Sequence, residues 1–146
     1  MRVIHFEINA DKPDRAAEFY KKVFNWEIKK WETSNDTQSA SVHQDYWMVM
    51  TGDRKKPGID GGLMKRMDKN AKTVNTIDVE NLDASIDAVK QSGGKMIGEK
   101  LNIPNVGWMC YCKDTEDNIF GMIQMSPEAI KGMTKKPKKK SSKKRK

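Results

Sequence analysis

Val3-Ile4-His5-Phe6-Glu7-Ile8 alternates as a strand does, with Ile4, Phe6 and Ile8 on one face and Val3, His5 and Glu7 on the other. The apolar trio is expected to face a helix. Asp11-Lys12-Pro13-Asp14 supplies the start of that helix, with Asp11 as N-cap and Pro13 in the first turn. Ala16, Ala17, Phe19, Tyr20, Val23 and Phe24 recur at helical spacing, so the helix is expected to cover Pro13 to Phe24. Further strands are predicted at Trp26 to Ile28, Tyr46 to Thr51 and Gly61 to Lys65. The polar stretch Glu32 to Gln44 reads as a long loop or one more short strand, with His43 on the surface.

The same order then recurs. A strand from Val74 to Val79 leads to a helix from Leu82 to Ser92, whose stripe is Leu82, Ile86 and Val89 and whose stop is Gly93-Gly94. Strands follow at Lys95 to Glu99, Trp108 to Lys113 and Asn118 to Gln124, the last two joined by the turn residues Asp114-Thr115-Glu116-Asp117-Asn118. Two βαβββ modules, about 3–66 and 73–124, imply an α+β fold in which one curved mixed sheet forms a concave cup. Right-handed βα crossovers place both helices on the convex side. The 146 residues suit a single domain, expected over 1–126, with a disordered Lys-rich tail over 127–146.

Charge is distributed unevenly. The net charge is +8, yet Lys135 to Lys146 alone hold nine Lys or Arg and no acid, which leaves 19 basic and 20 acidic residues elsewhere, a net of −1. The basicity is therefore all tail. A like-charged block with Pro137, Ser141 and Ser142 cannot bury enough surface to offset ordering entropy. Such an arm offers non-specific contact with nucleic acid or an acidic partner, without aromatic residues for base stacking. Cys110 and Cys112 would share a strand face at roughly 6.6 Å between Cα atoms, which strains a disulfide and favours two reduced thiols in a cytoplasmic protein. No charged and apolar leader precedes the first strand, and no run of 18 apolar residues could span a membrane.

Ile4-His5-Phe6-Glu7-Ile8, the run Ala17-Glu18-Phe19-Tyr20-Lys21-Lys22-Val23-Phe24-Asn25-Trp26, Gly61-Gly62-Leu63-Met64, and Lys113-Asp114-Thr115-Glu116-Asp117-Asn118-Ile119-Phe120-Gly121 together resemble the vicinal oxygen chelate superfamily. That group includes glyoxalase I, bleomycin-resistance proteins and extradiol dioxygenases. The resemblance implies one metal-ligating residue on each of strands 1, 4, 5 and 8, facing the cup, and a metal acting as Lewis acid there. Carried onto this chain, the strand 1 position is His5, which matches, while strands 4, 5 and 8 give Gly62, Val74 and Gly121, which cannot ligate. The expected function is binding of a small organic ligand in the cup without a metal cofactor and without glyoxalase I activity. Homodimerisation is also implied by the resemblance.

Other readings stay open beside this one. His5 with Glu7 and Asp78 could act as an acid–base group or hold a divalent metal in lyase, isomerase or dioxygenase chemistry, since an imidazole titrates near neutrality. The ligand surface is expected from His5, Trp47, Gly62, Val74, Thr76, Trp108 and Gly121. Met48, Met50, Met109, Tyr111 and Met122 also lie in or beside the sheet, and some of these aromatic and thioether side chains should line the cup, a place in the core or a dimer interface being the alternative. The segments Pro57 to Gly62 and Pro104 to Trp108 are candidate lids. For the tail, truncation after Thr134 should abolish any salt-sensitive binding to DNA in an anisotropy titration; undiminished binding would remove the arm from the account.

Overall fold

A computed structural model describes residues 1–31 and 45–134. The expectations for 32–44, including a surface His43, fall outside the described residues, as do those for the basic run 135–146. In chain order the elements are β1 (Val3–Ala10), α1 (Pro13–Phe24), β2 (Glu27–Lys30), β3 (Tyr46–Met50), β4 (Gly61–Lys65), β5 (Thr73–Asp78), α2 (Leu82–Gln91), β6 (Lys95–Ile103), β7 (Gly107–Lys113), β8 (Ile119–Met125) and α3 (Pro127–Thr134). The strands form one curved mixed sheet in the order β2-β3-β4-β1-β5-β8-β7-β6. β1 runs parallel to β4 and β5 parallel to β8, so each βαβββ module is one half of the sheet. The halves meet where β1 and β5 pair antiparallel.

α1 and α2 cover the same face of the sheet. α1 packs through Ala17 onto Ile28, Trp47, Val49 and Leu63, with Phe6 and Ile8 against them, so the apolar side of β1 does face a helix. α2 packs through Leu82 and Ile86 onto Cys110, Cys112 and Met122, with Ile77 and Phe120 alongside. Tyr20 and Trp26 stack with centroids 5.1 Å apart and planes 5° from parallel, which closes the far end of the α1 cluster. Gly61 pairs with Phe6, and a Cβ there would stand 2.5 Å from the Phe6 ring. That glycine is needed for the ring to lie flat on the sheet.

Local chemistry sets several boundaries. The N-cap of α1 is Lys12 rather than Asp11, without a side-chain cap bond. Asp11 is drawn away: its carboxylate accepts from Arg66 Nε at 2.9 Å and its carbonyl from Lys65 Nζ at 2.7 Å. Asn81 caps α2 as its carbonyl oxygen accepts from the Ala84 amide at 2.9 Å. β6 runs four residues beyond the expected end because Gly98, in the left-handed region at φ 65°, absorbs a register shift between Ile97 and Leu101 and lets pairing with β7 resume. In the turn before β8, the Asp114 carboxylate accepts from the amides of Glu116 and Asn118 at 2.8 and 2.9 Å.

α3 stands where the tail was expected to begin. Ser126 Oγ accepts from the Ala129 amide at 3.2 Å, and Pro127 occupies the first turn, so a cap and a helix-compatible proline start a helix at the edge of the basic run. Among the described residues no helix is long and apolar enough to cross a membrane. Leu63 is fully buried at 0% exposure, so Leu63→Ala is expected to destabilise the fold by about 2–5 kcal/mol in urea unfolding. A loss below about 1 kcal/mol would place Leu63 outside the cooperative core.

Candidate functional site

Strand register decides which side chains share the face opposite α1 and α2. Directly opposed residues in an antiparallel pair point to the same side. His5 opposes Thr76 and Glu7 opposes Val74, so these four belong together, away from Phe6 and Ile8. Glu7 also stands beside Gly62 on β4, Met48 opposes Gly62, Thr76 stands beside Gly121 on β8, and Tyr111 opposes Gly121. The concave floor is thus built from both modules within one chain. The floor is buried: Glu7 is 5% exposed and Thr76 is 3% exposed.

Two tyrosines converge on Glu7 across this floor. The Tyr111 hydroxyl donates to Glu7 Oε2 at 2.6 Å, within the range of a charge-assisted bond. The Tyr46 hydroxyl also hydrogen-bonds the Glu7 carboxyl. Tyr46 Oη in turn lies 2.7 Å from His5 Nε2. With its single proton given to Glu7, the Tyr46 oxygen can only accept from His5, which puts a proton on Nε2 of a neutral ring. The chain of donors therefore runs from His5 through Tyr46 to Glu7, and from Tyr111 to Glu7.

Electrostatics follow from burial. Burial raises the Glu7 carboxyl above its ordinary range, and the two tyrosine hydroxyls draw it only part of the way back. The His5 imidazole is lowered by burial, with the negative charge of Asp60 opposing the shift. Both tyrosines are pushed up, first by burial and then by the adjacent carboxylate, and so keep their protons. This arrangement can bind hydrogen-bonding groups and can exchange a proton at Glu7.

The residues do not fit the divalent metal that the fold implies. A transition metal usually requires three protein donors at about 2 Å. Among the described residues no three His, Cys, Asp or Glu side chains gather in that way. The strand 4 ligand position, Gly62, has no room for a ligating side chain, since a Cβ there would collide with the Tyr46 hydroxyl. At the strand 8 position, Gly121, a Cβ would stand 2.7 Å from Thr76 Oγ1. Each glycine therefore gives its space to a hydroxyl.

Of the residues expected on the ligand surface, His5, Gly62, Val74, Thr76 and Gly121 lie on the concave face, and Glu7 joins them. Trp47 and Trp108 do not. Trp47 opposes Leu63 and is buried in the α1 cluster. Trp108 alternates in phase with Cys110 and Cys112 toward α2, and remains 48% exposed near the end of β7. Met122 also turns to α2, while Met48, Met50 and Met109 face the cup by alternation with their buried neighbours. Asp78 separates from His5 and Glu7: its carboxylate accepts from the Arg2 amide at the exposed start of β1.

Tyr46 is the group that sequence reasoning missed. The signal available was Gly62 itself, whose empty side-chain position invites a ring from the next strand. The candidate lid at Pro57 to Gly62 is tied down, with Asp60 Oδ1 accepting from the Thr51 amide at 2.9 Å and the Ile59 carbonyl from Thr51 Oγ1 at 2.9 Å. It borders a half-open hollow of about 180 Å³ beside Arg54 and Lys56. Cys110 and Cys112 are free, buried and 3.9 Å apart at sulfur. Burial pushes the Cys110 thiol up to about 12 and raises Cys112 as well, so neither is an activated nucleophile.

Comparison with known proteins agrees with this architecture. A Didymella fabae protein named as glyoxylase-like domain-containing is 31% identical over 115 residues, 77% of this chain and 84% of that protein. The glyoxylase-named protein CFP32 of Mycobacterium bovis is 25% identical over 122 residues, and this chain spans only 43% of its length. Methylmalonyl-CoA epimerase from Mycobacterium tuberculosis superposes with a TM-score of 0.60 at 14% identity, covering 88% of this chain and 91% of that one, which is a likeness of fold. Residues 2–120 match the model of one family over most of the chain. The chain belongs to the glyoxalase/bleomycin resistance protein/dioxygenase superfamily.

Proposed function

We propose that the concave face binds a small organic molecule, with Glu7, Tyr46, Tyr111 and His5 as its polar floor and without the divalent metal of the metalloenzymes that share the fold. The observation that supports this reading is the Tyr46 hydroxyl standing where a strand 4 ligand would stand, over Gly62. Methionines at 48, 50, 64 and 109 surround the floor on the same face, and flexible thioethers suit the apolar body of a ligand. Both halves of the cup come from one chain, so the reading requires no second copy. The paired free thiols support a reducing, cytoplasmic setting.

A second reading is acid–base chemistry on the bound molecule, favoured by the buried carboxyl of Glu7, whose raised value brings it toward neutrality. Glu7 is then the proton acceptor and the tyrosines hold it in place. Turnover found in a substrate screen should fall by about 100-fold or more in Glu7→Gln. Turnover that survives this change would end the acid–base assignment.

Elemental analysis of the purified protein should find no stoichiometric Ni, Zn, Mn or Fe. A bound metal that disappears in His5→Ala would overturn the metal-free reading. Stability carries a further signature. The folded Glu7 value lies above 4.5, so its contribution is complete below that pH and is lost as pH rises through the raised folded value. Compared with the native chain in urea, Glu7→Gln should therefore gain relative stability as pH rises above 4.5. A difference that stays flat across roughly pH 4 to 8 would show that burial does not govern this carboxyl.

A further inference from the structure

We propose that the ligand of the concave face bears an organic ammonium group, which pairs with the Glu7 carboxylate between Tyr46 and Tyr111. The inference rests on the reading of this face as a ligand site and names the class of ligand. Its basis is an imbalance at the floor. Every donor described around Glu7 points at it: His5 to Tyr46, Tyr46 to Glu7, Tyr111 to Glu7. A chain polarised in this way offsets part of the cost of a negative charge at Glu7 and leaves the rest to a ligand. Glu7 nonetheless makes no ion pair among the described residues, its partners being the two tyrosine hydroxyls. Buried carboxylates are ordinarily paired with a cation.

An ammonium ion supplies what is missing. It would offset the part of the burial penalty that two neutral hydroxyls leave. An anionic ligand would instead meet Glu7 as a like charge. The floor also holds a second unfinished group: Thr76 is 3% exposed and its buried hydroxyl has no hydrogen-bond partner among the described residues, one strand from His5 and beside Gly121. It can accept a second N–H of the same ligand or donate to an oxygen beside it. Beside these polar groups and the buried Asn9, methionines at 48, 50, 64 and 109 supply an apolar surface of the kind an arylalkylamine would require.

The test is a charge series on the full chain, with benzylamine, benzyl alcohol and benzoate titrated to millimolar concentration and binding followed by NMR shifts of the concave-face methionine methyls. Benzylamine is expected to bind about tenfold more tightly than benzyl alcohol, with benzoate weakest, and Glu7→Gln should remove that preference. Equal or weaker binding of the amine would overturn the ammonium assignment while leaving the cup as a ligand site. Failure of all three probes would overturn both. An amine preference that persists in Glu7→Gln would also overturn it. Should Glu7→Gln fail to fold, Met48→Trp serves in its place: Met48 is 39% exposed beside Gly62, and a ring there should block amine binding without touching Glu7. Undiminished amine binding in Met48→Trp would place the probe elsewhere and overturn the proposal.

Discussion

The antiparallel pairing of β1 with β5 is the constraint on which the rest depends. Each module alone is a four-stranded half-sheet with a helix on one side. Pairing His5 with Thr76 and Glu7 with Val74 fuses the halves and aligns their faces, because a shift of one residue would turn every side chain of one half over. The same register carries Phe6, Ile8 and Ile77 to the helices and His5, Glu7 and Thr76 to the cup. It also sets Glu7 at the centre, within reach of one tyrosine from each module.

From that centre the chemistry follows by subtraction. Related metalloenzymes spend four strand positions on holding an ion. Here Gly62 and Gly121 stand at two of the corresponding positions, with the Tyr46 hydroxyl above one and the Thr76 hydroxyl beside the other. The two consecutive glycines of β4 serve opposite faces: Gly61 admits the Phe6 ring toward α1, and Gly62 admits Tyr46 toward the cup. A side chain at either position would force an aromatic ring out of place. The replacement is thus a packing solution as much as a chemical one.

Much of this was legible in the sequence, and the gaps have physical causes. Alternation from His5 to Ile8 gave the two faces of β1 correctly, since a half-buried strand must alternate, but a register shift between Val3 and His5 pairs Val3 with Ile77 and takes it off the His5 face. The helix from Pro13 to Phe24 was readable because its stripe and its proline agree. Trp47 and Trp108 were misplaced for a reason of the same kind: aromatic character says that a residue is buried, and only register says on which side. Asp11 failed as a cap because a long-range partner, Arg66, competes for its carboxylate. The cap signal of Ser126-Pro127 was present but overshadowed by the lysines that follow it. Convergence of Tyr46 and Tyr111 on Glu7 joins residues 39 and 104 positions away, a separation no local pattern encodes.

The bulge at Gly98 has a consequence for how this molecule behaves at concentration. β6 is the outer strand of its half of the sheet, nine residues long, and would offer a continuous row of unsatisfied amides and carbonyls to another strand. The left-handed residue breaks that row near its middle, and Lys95, Glu99 and Lys100 place charge along it. A straight, apolar β6 would be a template for edge-to-edge stacking. The kink that lets β6 follow β7 therefore also protects the folded chain from aggregating through its longest edge.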